Sequence, residues 1–333
     1  MSTQTVFRPI SVIGIAISIG ALVWLFSQFD FTEVVAAFGA ARLWALVPVA
    51  ALIVGDFLLR AWRWQVLFGS QNRVRLRHAF RALSVGYLFN NIMPARAGDF
   101  IRALELGRLQ DISRTRAFTT IVVERTGELL FLLALLSAVL LSYPALPAWL
   151  GRAGIGVSVI TMAALVVLIV AHLKAPALVL FVERAFIRVG AARFVPTAVR
   201  IANSFAAGAS GLFTVAGAAV FFSLTTVLWG VEVWILHVVA HAFGLDIAPG
   251  NLLFVLLVIA LGTMVPSSPG FVGTYEFFGV SALAIVGITG PIALSFIITL
   301  HAAMLVGTSL LGAGALWIRR TSSGDAGEVG EHR

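Results

Sequence analysis

The stretch AFRALSVGYLFNNIMPARAGDFIR, residues 79–102, decides how this chain folds. Its first part, residues 79–94, is apolar but shorter than the roughly 20 residues that a helix needs to cross the hydrocarbon core of a bilayer. Both flanks are basic, and Pro94 ends the helix because proline has no amide hydrogen and clashes with the preceding turn. The pattern predicts a re-entrant hairpin or half-helix that enters a membrane and returns to the same side.

The composition of the whole chain supports a membrane environment. Of 333 residues, 60% are hydrophobic and 11% are charged, and the mean hydropathy is +1.01. A single soluble core cannot bury so much apolar side chain. We therefore expect an all-α, polytopic membrane helix bundle with about eight spans and two broken or re-entrant elements. The predicted spans are residues 10–29, 43–61, 117–142, 153–173, 211–243, 250–265, 273–289 and 292–318.

The basic residues predict how the chain is oriented. The formal net charge is +8, and it comes almost entirely from arginines, since Lys174 is the only lysine. The arginines flank apolar segments, as in cytoplasmic loops that contact anionic lipids, and they do not suggest a nucleic-acid partner. The loops at residues 60–81 and 174–200 should therefore be cytoplasmic. With both termini also inside, the pattern predicts a multi-pass protein of a bacterial inner (cytoplasmic) membrane.

The chain reads as one membrane domain with a short tail. The first apolar run is interpreted as a span and not as a cleaved signal peptide, because the residues after it fit a cleavage site poorly. We predict a membrane domain over residues 1–320 and a disordered cytoplasmic tail over residues 321–333. The sequence has no cysteine, which excludes disulfides and thiol chemistry, and neither a metal nor another cofactor is expected.

A second interruption, MVPSSPGFVGTYE, lies at residues 264–276. Its prolines and glycines forbid a continuous helix in an otherwise apolar region. The two interruptions share a proline followed by a small-residue turn with glycine, and they lie about half a chain apart, as corresponding broken helices do in the two halves of a transporter. Gly270 and Gly273 suit close helix packing better than a phosphate loop, which would follow a strand and contain a lysine.

The first interruption is a candidate phosphate site. The backbone groups that the proline releases could be satisfied by Asn90, by Asn91 or by a ligand. A free helix start beside Arg96 and Arg102 is a natural seat for a phosphate group. The alternative is a polar cytoplasmic turn whose arginines anchor on lipid headgroups.

Charges of alternating sign follow at every third position from Arg96 to Arg114. Residues three apart on a helix can pair, so this pattern predicts a salt-bridged surface helix that lies at the membrane interface. Arg96, Asp99 and Arg102, which are nearest the break, are the members for which we expect a function.

The third predicted span contains Glu124, Arg125 and Glu128. Charge is costly inside hydrocarbon, so such groups usually face a cavity or pair with one another. Arg125 and Glu128 can pair within the helix, and Glu124 then needs another partner. A ligand site and a structural pair with the arginine-rich segment both remain open.

The second predicted span ends in charged and aromatic residues. Asp56 and Arg60 are four apart and can form a local ion pair. Arg63 follows, and Trp62 and Trp64 suit the aromatic belt at a membrane interface. Anchoring is the favoured interpretation of this group.

Further ionisable residues lie in the second half of the chain. Glu232, His237, His241 and His301 could relay protons or could be structural. Glu276 follows the second interruption directly, where a substrate could reach its carboxylate.

Three of these segments resemble the membrane region of the lysylphosphatidylglycerol synthase and flippase family: residues 90–102, the Glu124–Arg125 step and residues 266–276. The likeness covers nearly the whole chain, from about residue 10 to residue 318. In that family the membrane region is assigned lipid translocation, and a separate cytosolic domain transfers the aminoacyl group from its tRNA. The sequence contains nothing like that domain, so the resemblance implies a stand-alone, flippase-like protein that is not an enzyme.

The resemblance and the residue chemistry together imply a substrate-binding site formed by both interruptions and the third span. We expect no catalytic or metal-binding residues. The candidate substrate-binding residues are Asn90, Asn91, Pro94, Arg96, Gly98, Asp99, Arg102, Glu124, Arg125, Glu128, Pro266, Pro269, Gly270, Gly273 and Glu276.

The expected partners are membrane lipids: anionic or aminoacylated phospholipids, or polyprenyl-linked amphiphiles. Relatives can serve different lipids, so the resemblance does not identify the cargo. A homo-oligomer and a lipid-modifying enzyme partner are also left open. Two other functions are alternatives to the flippase: a membrane-embedded transferase that acts on a lipid carrier, and a non-catalytic partner of a lipid-modifying enzyme.

Overall fold

The computed structural model describes most of the chain outside its middle. The described residues are 4–42, 44, 46–69, 74–93, 96–110, 112–142, 212, 214–264 and 267–328, with scattered positions between 152 and 199. Among these residues, all the regular elements are helices. The elements are α1 (Gln4–Ser27), α2 (Phe31–Ala40), α3 (Leu46–Leu67), α4 (Leu76–Ile92), α5 (Gly98–Leu109), α6 (Arg114–Ser142), α7 (Val215–Ala242), α8 (Pro249–Gly262), a 3-10 turn (Pro269–Phe271), α9 (Thr274–Ile285) and α10 (Pro291–Glu328).

The protein is an all-α membrane helix bundle, as the composition predicts. In the described part of the chain, two helical segments are long and apolar enough to cross a membrane: all of α7 and residues Pro291–Ile318 of α10. Shorter apolar helical segments lie at Gly14–Leu25 and Pro249–Gly262. The span predicted at residues 153–173 lies largely outside the described residues, and the total of eight spans stays a prediction.

Two segments predicted to be irregular contain helix. Residues 31–40, which lie between the first two predicted spans, form α2, because Asp30 caps its first turn by accepting a hydrogen bond from the amide of Thr32 at 2.8 Å. At the other end, α10 continues to Glu328. α10 thus continues past the boundary predicted at residue 320, and the division into a membrane domain and a tail stays a prediction.

The chain divides into two compact units. The first unit contains residues 1–61, 77–105 and 227–333, and the second contains residues 62–76 and 106–226. Each unit combines separate stretches of the chain, and the predicted two-half repeat stays a prediction. Both helix breaks lie in the first unit.

Small residues let the helices of the first unit approach closely. A Cβ added to Gly279 of α9 would lie 2.8 Å from a side-chain carbon of Ile297 on α10. A Cβ added to Gly14 of α1 would lie 2.9 Å from the carbonyl oxygen of Ser267, beside the second break. Close packing of this kind is what holds helices together where lipid removes the hydrophobic driving force. It fixes the position of the second break against α1 and α10.

Candidate functional site

The two helix breaks contact each other through Arg96. This residue lies between the end of α4 and the start of α5. Its Nη2 donates a hydrogen bond to the carbonyl oxygen of Thr263 at 3.2 Å, and its guanidinium carbon lies 5.5 Å from the centroid of the Phe271 ring. Thr263 directly follows α8, so the arginine binds a carbonyl at the electronegative end of a helix. One cationic side chain thus joins the two interruptions that the sequence predicted to meet.

The backbone is strained on both sides of this contact. Arg96 has φ of 53° and Phe271 has φ of 60°, and in the described part of the chain these are the non-glycine residues with positive φ. A left-handed conformation costs an L-residue about 1–2 kcal/mol. Such strain persists only where surrounding contacts impose it, and it is concentrated at functional sites.

Asn91 connects the first break to α10. Its Nδ2 lies within hydrogen-bond distance of the Leu305 carbonyl oxygen (3.3 Å), Thr308 Oγ1 (2.9 Å) and Ser309 Oγ (2.9 Å). A Cβ added to Gly270 would lie 3.4 Å from the carbonyl oxygen of Asn91, so the backbones of the two breaks are also close. Asn91 was predicted to satisfy backbone groups that the first break releases. In the structure its amide nitrogen instead contacts three residues inside α10.

Asn90 and Asp99 connect α4 to α5 across the first break. Asn90 is buried, and its Nδ2 lies 3.4 Å from Oδ1 of Asp99 in the first turn of α5. A carboxylate in this position is favourable because the helix start is electropositive. Gly98 is in contact with the backbone oxygen of Gly86, where any side chain would clash. Gly98 therefore serves helix packing, and Pro94 lies outside the described residues.

Glu276 and His301 form a buried pair behind the second break. Oε2 of Glu276 accepts a hydrogen bond from the amide of Gly273 at 2.6 Å, which caps α9, and Oε1 lies 2.6 Å from Nδ1 of His301. Nε2 of His301 lies 2.8 Å from the carbonyl oxygen of Gly270. The imidazole stacks on Tyr275 with ring centroids 4.1 Å apart. Both oxygens of the carboxylate predicted to meet a substrate thus have protein partners.

The remaining residues of the second break determine its backbone conformation. Pro269 begins the 3-10 turn, a position where its missing amide hydrogen costs nothing. Gly273 has φ of 94°, and a Cβ there would lie 2.5 Å from the carbonyl oxygen of Ser18 in α1. Only glycine fits both the conformation and the space. Pro266 lies outside the described residues.

The structure corrects the prediction of a surface helix after the first break. In α5, Arg102 is 2% exposed and Glu105 is 4% exposed. Arg81 of α4 lies 3.7 Å from Glu105. α5 is held by buried contacts because α4 packs on it through glycine: a Cβ on Gly86 would lie 2.8 Å from Cβ of Arg102. A phosphate group would not reach Arg102 without movement of these helices.

The first unit contains a second ionic cluster, around Arg60. Arg60 forms the predicted pair with Asp56, with 2.6 Å between Nε and Oδ2, and it also pairs with Glu232 of α7. Its guanidinium carbon lies 5.9 Å from the centroid of the Tyr87 ring on α4. Asp56 is buried, so the cluster is a pairing inside the protein and not the predicted interfacial anchor. The sequence did not reveal that Glu232 belongs to it.

The second unit contains the other predicted charges. Arg63 is 1% exposed, and its Nη2 lies 3.0 Å from Oε1 of Glu124 and 3.5 Å from Oε1 of Glu128. Arg125 pairs with Glu128 at 3.3 Å, as predicted. Nη1 of Arg63 also donates to the hydroxyl of Thr225 at 3.2 Å. The partner that Glu124 needed is therefore Arg63.

Trp64, which follows Arg63, was wrongly predicted to lie in the aromatic belt at the membrane interface. Trp64 is completely buried and donates a hydrogen bond from Nε1 to Thr120 Oγ1 at 3.0 Å. Trp62, in contrast, is 49% exposed, as a residue of an interfacial belt should be. Buried Arg63 and Trp64 both point to a packed core in this unit. The signal for this was present in the sequence, because Glu124 had no partner within its own helix.

Comparison with known proteins supports the resemblance seen in the sequence. Residues 11–312 match the family described as the lysylphosphatidylglycerol synthase TM region. One relative, named "Glycosyltransferase AglD", from Haloferax volcanii, is 30% identical over an alignment that covers 93% of this chain and 54% of the relative. The chain thus spans about half the length of that relative. No solved structure matches the chain.

The family match runs through both interruptions and through the Glu124–Arg125 step, the segments on which the resemblance was first seen. It begins within α1 and ends within α10. The protein therefore belongs to the family of the lysylphosphatidylglycerol synthase TM region.

Proposed function

We propose that this protein is a lipid transporter of the flippase type, and not an enzyme, that moves a phospholipid or a lipid-linked amphiphile across a bacterial inner membrane. The observation that supports this most is the contact of Arg96 with Thr263 and Phe271, which joins two helix breaks in one unit. Broken helices that meet within the membrane are a recurrent design of transporter binding sites.

The arginine contact suggests how a headgroup would be recognised. Arg96 is half-buried, and one acceptor of its guanidinium is the neutral carbonyl oxygen of Thr263. A phosphate oxygen is a stronger acceptor, because it carries negative charge and because a phosphate group can accept two parallel hydrogen bonds from one guanidinium. The headgroup phosphate would replace Thr263 as the acceptor for Arg96. The two breaks would then lose the contact that joins them.

Release of that contact is the proposed conformational step. The strained backbone at Arg96 and Phe271 stores free energy that is relieved when the contact opens. Asn91 and the Glu276–His301 pair would keep each break attached to α10 during the movement. The lipid tails would stay in the bilayer while the headgroup crosses beside the breaks.

The proposed cargo is a lipid with a phosphate in its headgroup. Anionic phospholipids, aminoacylated phospholipids and polyprenyl-linked phosphates all meet this requirement. We place the protein as a multi-pass protein with both termini in the cytoplasm, on the basis of its arginine-rich segments. In this orientation the first break opens toward the cytoplasmic side.

The test is lipid translocation in proteoliposomes of the purified protein. Phosphatidylglycerol labelled on its acyl chain keeps its headgroup intact, and a membrane-impermeant reductant reports the fraction in the outer leaflet. We expect faster exchange than in protein-free vesicles and loss of the gain in Arg96→Gln. Arg108→Gln, which removes an exposed arginine from the last turn of α5, is the matched control.

The assay is repeated with aminoacylated phosphatidylglycerol and with a polyprenyl phosphate. If none of the three lipids moves faster than in protein-free vesicles, the transport proposal is wrong. If Arg96→Gln transports as well as the unaltered protein, transport does not use the site described above.

A membrane-embedded transferase is the second candidate, favoured by the name of the Haloferax volcanii relative. The chain covers only 54% of that relative, so the activity in its name can belong to the part that the chain does not match. Mass spectrometry of membrane lipids separates the two functions. A transferase produces a new lipid species when the protein is expressed, whereas a flippase changes only the distribution between leaflets.

A further inference from the structure

A cavity of about 510 Å³ lies between the start of α4 and the last turns of the membrane part of α10. It belongs entirely to the first unit and contains none of the candidate site residues. The residues that line it are Arg77, His78, Phe80, Arg81, Leu310, Leu311, Gly314, Ala315 and Ile318.

The two helices that form the cavity run in opposite directions. Asn91, near the end of α4, bonds to residues 305–309 of α10. Further along, a Cβ on Gly312 would lie 2.5 Å from the carbonyl oxygen of Ser84, so the helices touch there. Past this contact, a Cβ on Gly314 would meet nothing within 4 Å. The cavity therefore opens beside Gly314.

The two walls of the cavity differ in chemistry. Arg77, His78 and Arg81 come from the first turns of α4, where the helix end adds its own positive potential, and Arg81 also pairs with Glu105 at 3.7 Å. The wall from α10 is apolar, and Leu310 and Ile318 on it are 66% and 60% exposed. A cationic wall facing an exposed apolar wall complements a molecule with an anionic head and a hydrocarbon tail.

We propose that this cavity binds an anionic phospholipid. The phosphate lies among Arg77, His78 and Arg81, and an acyl chain covers Leu310 and Ile318. Two arginines in one turn are suited to phosphate, since each guanidinium offers several donors in a fixed plane. A free phosphate ion would satisfy the basic wall but would leave the apolar wall uncovered. The hydrocarbon chain is what favours a lipid as the occupant.

This inference does not depend on the proposed transport function. The cavity is distinct from the Arg96–Phe271 contact, and a lipid bound there is a separate site on the protein. Binding at the cavity is therefore expected even if the protein does not translocate lipid, and loss of binding at the cavity would leave the proposal about Arg96 intact.

The experiment uses the purified full chain in an uncharged detergent and counts bound lipids by native mass spectrometry. Short-chain phosphatidylglycerol, the matching short-chain phosphatidylcholine and inorganic phosphate are titrated separately. We expect phosphatidylglycerol, which has a net negative charge, to bind about tenfold more tightly than zwitterionic phosphatidylcholine, whose choline cation would be repelled by the basic wall. Inorganic phosphate at the same concentrations should not displace it.

Two variants test the position of the site without disturbing the fold. Gly314→Leu places a side chain in the cavity from a position where an added Cβ would meet nothing within 4 Å, and it raises helix propensity. Gly230→Leu in α7, also free of neighbours within 4 Å, is its control. Arg77→Gln removes an exposed charge of the cavity. Its control is Arg75→Gln, which removes an exposed charge two residues away.

We expect Gly314→Leu and Arg77→Gln to weaken phosphatidylglycerol binding about tenfold or more, and both controls to bind as the unaltered protein does. If phosphatidylcholine bound as tightly as phosphatidylglycerol, the protein would not select the anionic headgroup, and the proposal would be overturned. Displacement by inorganic phosphate would identify an anion site without a lipid. Unchanged binding by Gly314→Leu would show that the lipid lies elsewhere.

Discussion

Arg96 lies over the ring of Phe271, with the guanidinium carbon 5.5 Å from the ring centroid, and both residues have a left-handed backbone conformation. The two residues are far apart in the sequence, and each belongs to a different helix break. Their contact is a cation–π interaction, worth about 0.5–2 kcal/mol depending on how far it is shielded from water. This is similar to the cost of one strained backbone, so the contact can hold the breaks together without making them rigid.

Replacement of Arg96 can separate its backbone strain from its side-chain contacts. Arg96→Gly and Arg96→Ala both remove the guanidinium and should both abolish transport. Glycine adopts φ of 53° without strain, whereas alanine keeps the strain. Arg96→Gly should therefore be more stable than Arg96→Ala by about 1 kcal/mol. Thermal unfolding of the detergent-solubilised variants measures this difference.

The opposite order of stability would mean that Arg96 does not have a left-handed backbone. If Arg96→Gly still transported lipid, the guanidinium would not be needed, and the function proposed for the contact between the breaks would be wrong.

Gly273 offers a second test of how the break is built. Gly273→Ala places a Cβ at φ of 94° and 2.5 Å from the carbonyl oxygen of Ser18. Gly287 has φ of 87°, and nothing lies within 4 Å of its added Cβ, so Gly287→Ala introduces the backbone strain alone. We expect Gly287→Ala to lower the free energy of unfolding by about 1–2 kcal/mol and Gly273→Ala to lower it clearly more. Equal costs would show that α1 does not pack on Gly273 as described.

The sequence predicted the breaks well because their signals are local. Proline removes a helix hydrogen bond wherever it stands, so the interruptions at residues 79–102 and 264–276 could be located without knowledge of the fold. The helices on either side also agree with the predicted apolar segments. The meeting of the two breaks was inferred from an analogy with transporter halves. The contact of Arg96 with Thr263 and Phe271 agrees with that meeting, and both breaks lie in one unit.

The buried charges were harder to predict, because their partners are distant in the sequence. Glu124 was recognised as needing a partner, but Arg63 was assigned to the membrane interface with its neighbour Trp64. Residues that follow each other on a helix face different directions. Trp62 is exposed whereas Arg63 and Trp64 are buried, and no feature of this short segment distinguishes them.

The Arg63–Glu124 pair should be strongly coupled in stability. Arg63→Met or Glu124→Leu alone leaves a buried charge without its partner, which costs about 3–5 kcal/mol. The double variant removes both charges and fills the space with apolar atoms, so it should be more stable than either single variant. Arg75→Met, at an exposed position, is the control. Denaturant unfolding of the unaltered protein, the two single variants, the double variant and the control, all in detergent, measures the coupling.

The pairing would be contradicted if the double variant lost as much free energy of unfolding as the two single variants lose together. They would mean that Arg63 and Glu124 are each stabilised by other groups, of which Thr225 and Glu128 are the nearest in the structure.

The Glu276–His301 pair must share a proton, because of the groups that surround it. Nε2 of His301 faces the carbonyl oxygen of Gly270, which only accepts, so this nitrogen carries a hydrogen. Nδ1 faces a carboxylate oxygen, and one hydrogen must lie between them, on the histidine or on the carboxyl group. The pair as a whole is therefore neutral in either arrangement. A neutral pair is the form that a membrane interior tolerates.

This proton count predicts that Glu276→Gln is tolerated and Glu276→Ala is not. The glutamine oxygen can accept from the amide of Gly273, and its amide nitrogen can donate to Nδ1 of a neutral His301, so every hydrogen bond is kept. Alanine leaves the amide and the imidazole without this partner, at about 1–3 kcal/mol for each buried group. Thermal unfolding should place Glu276→Gln within about 1 kcal/mol of the unaltered protein. A large loss of thermal stability in Glu276→Gln would mean that the pair is held as separated charges, with the shared proton on His301.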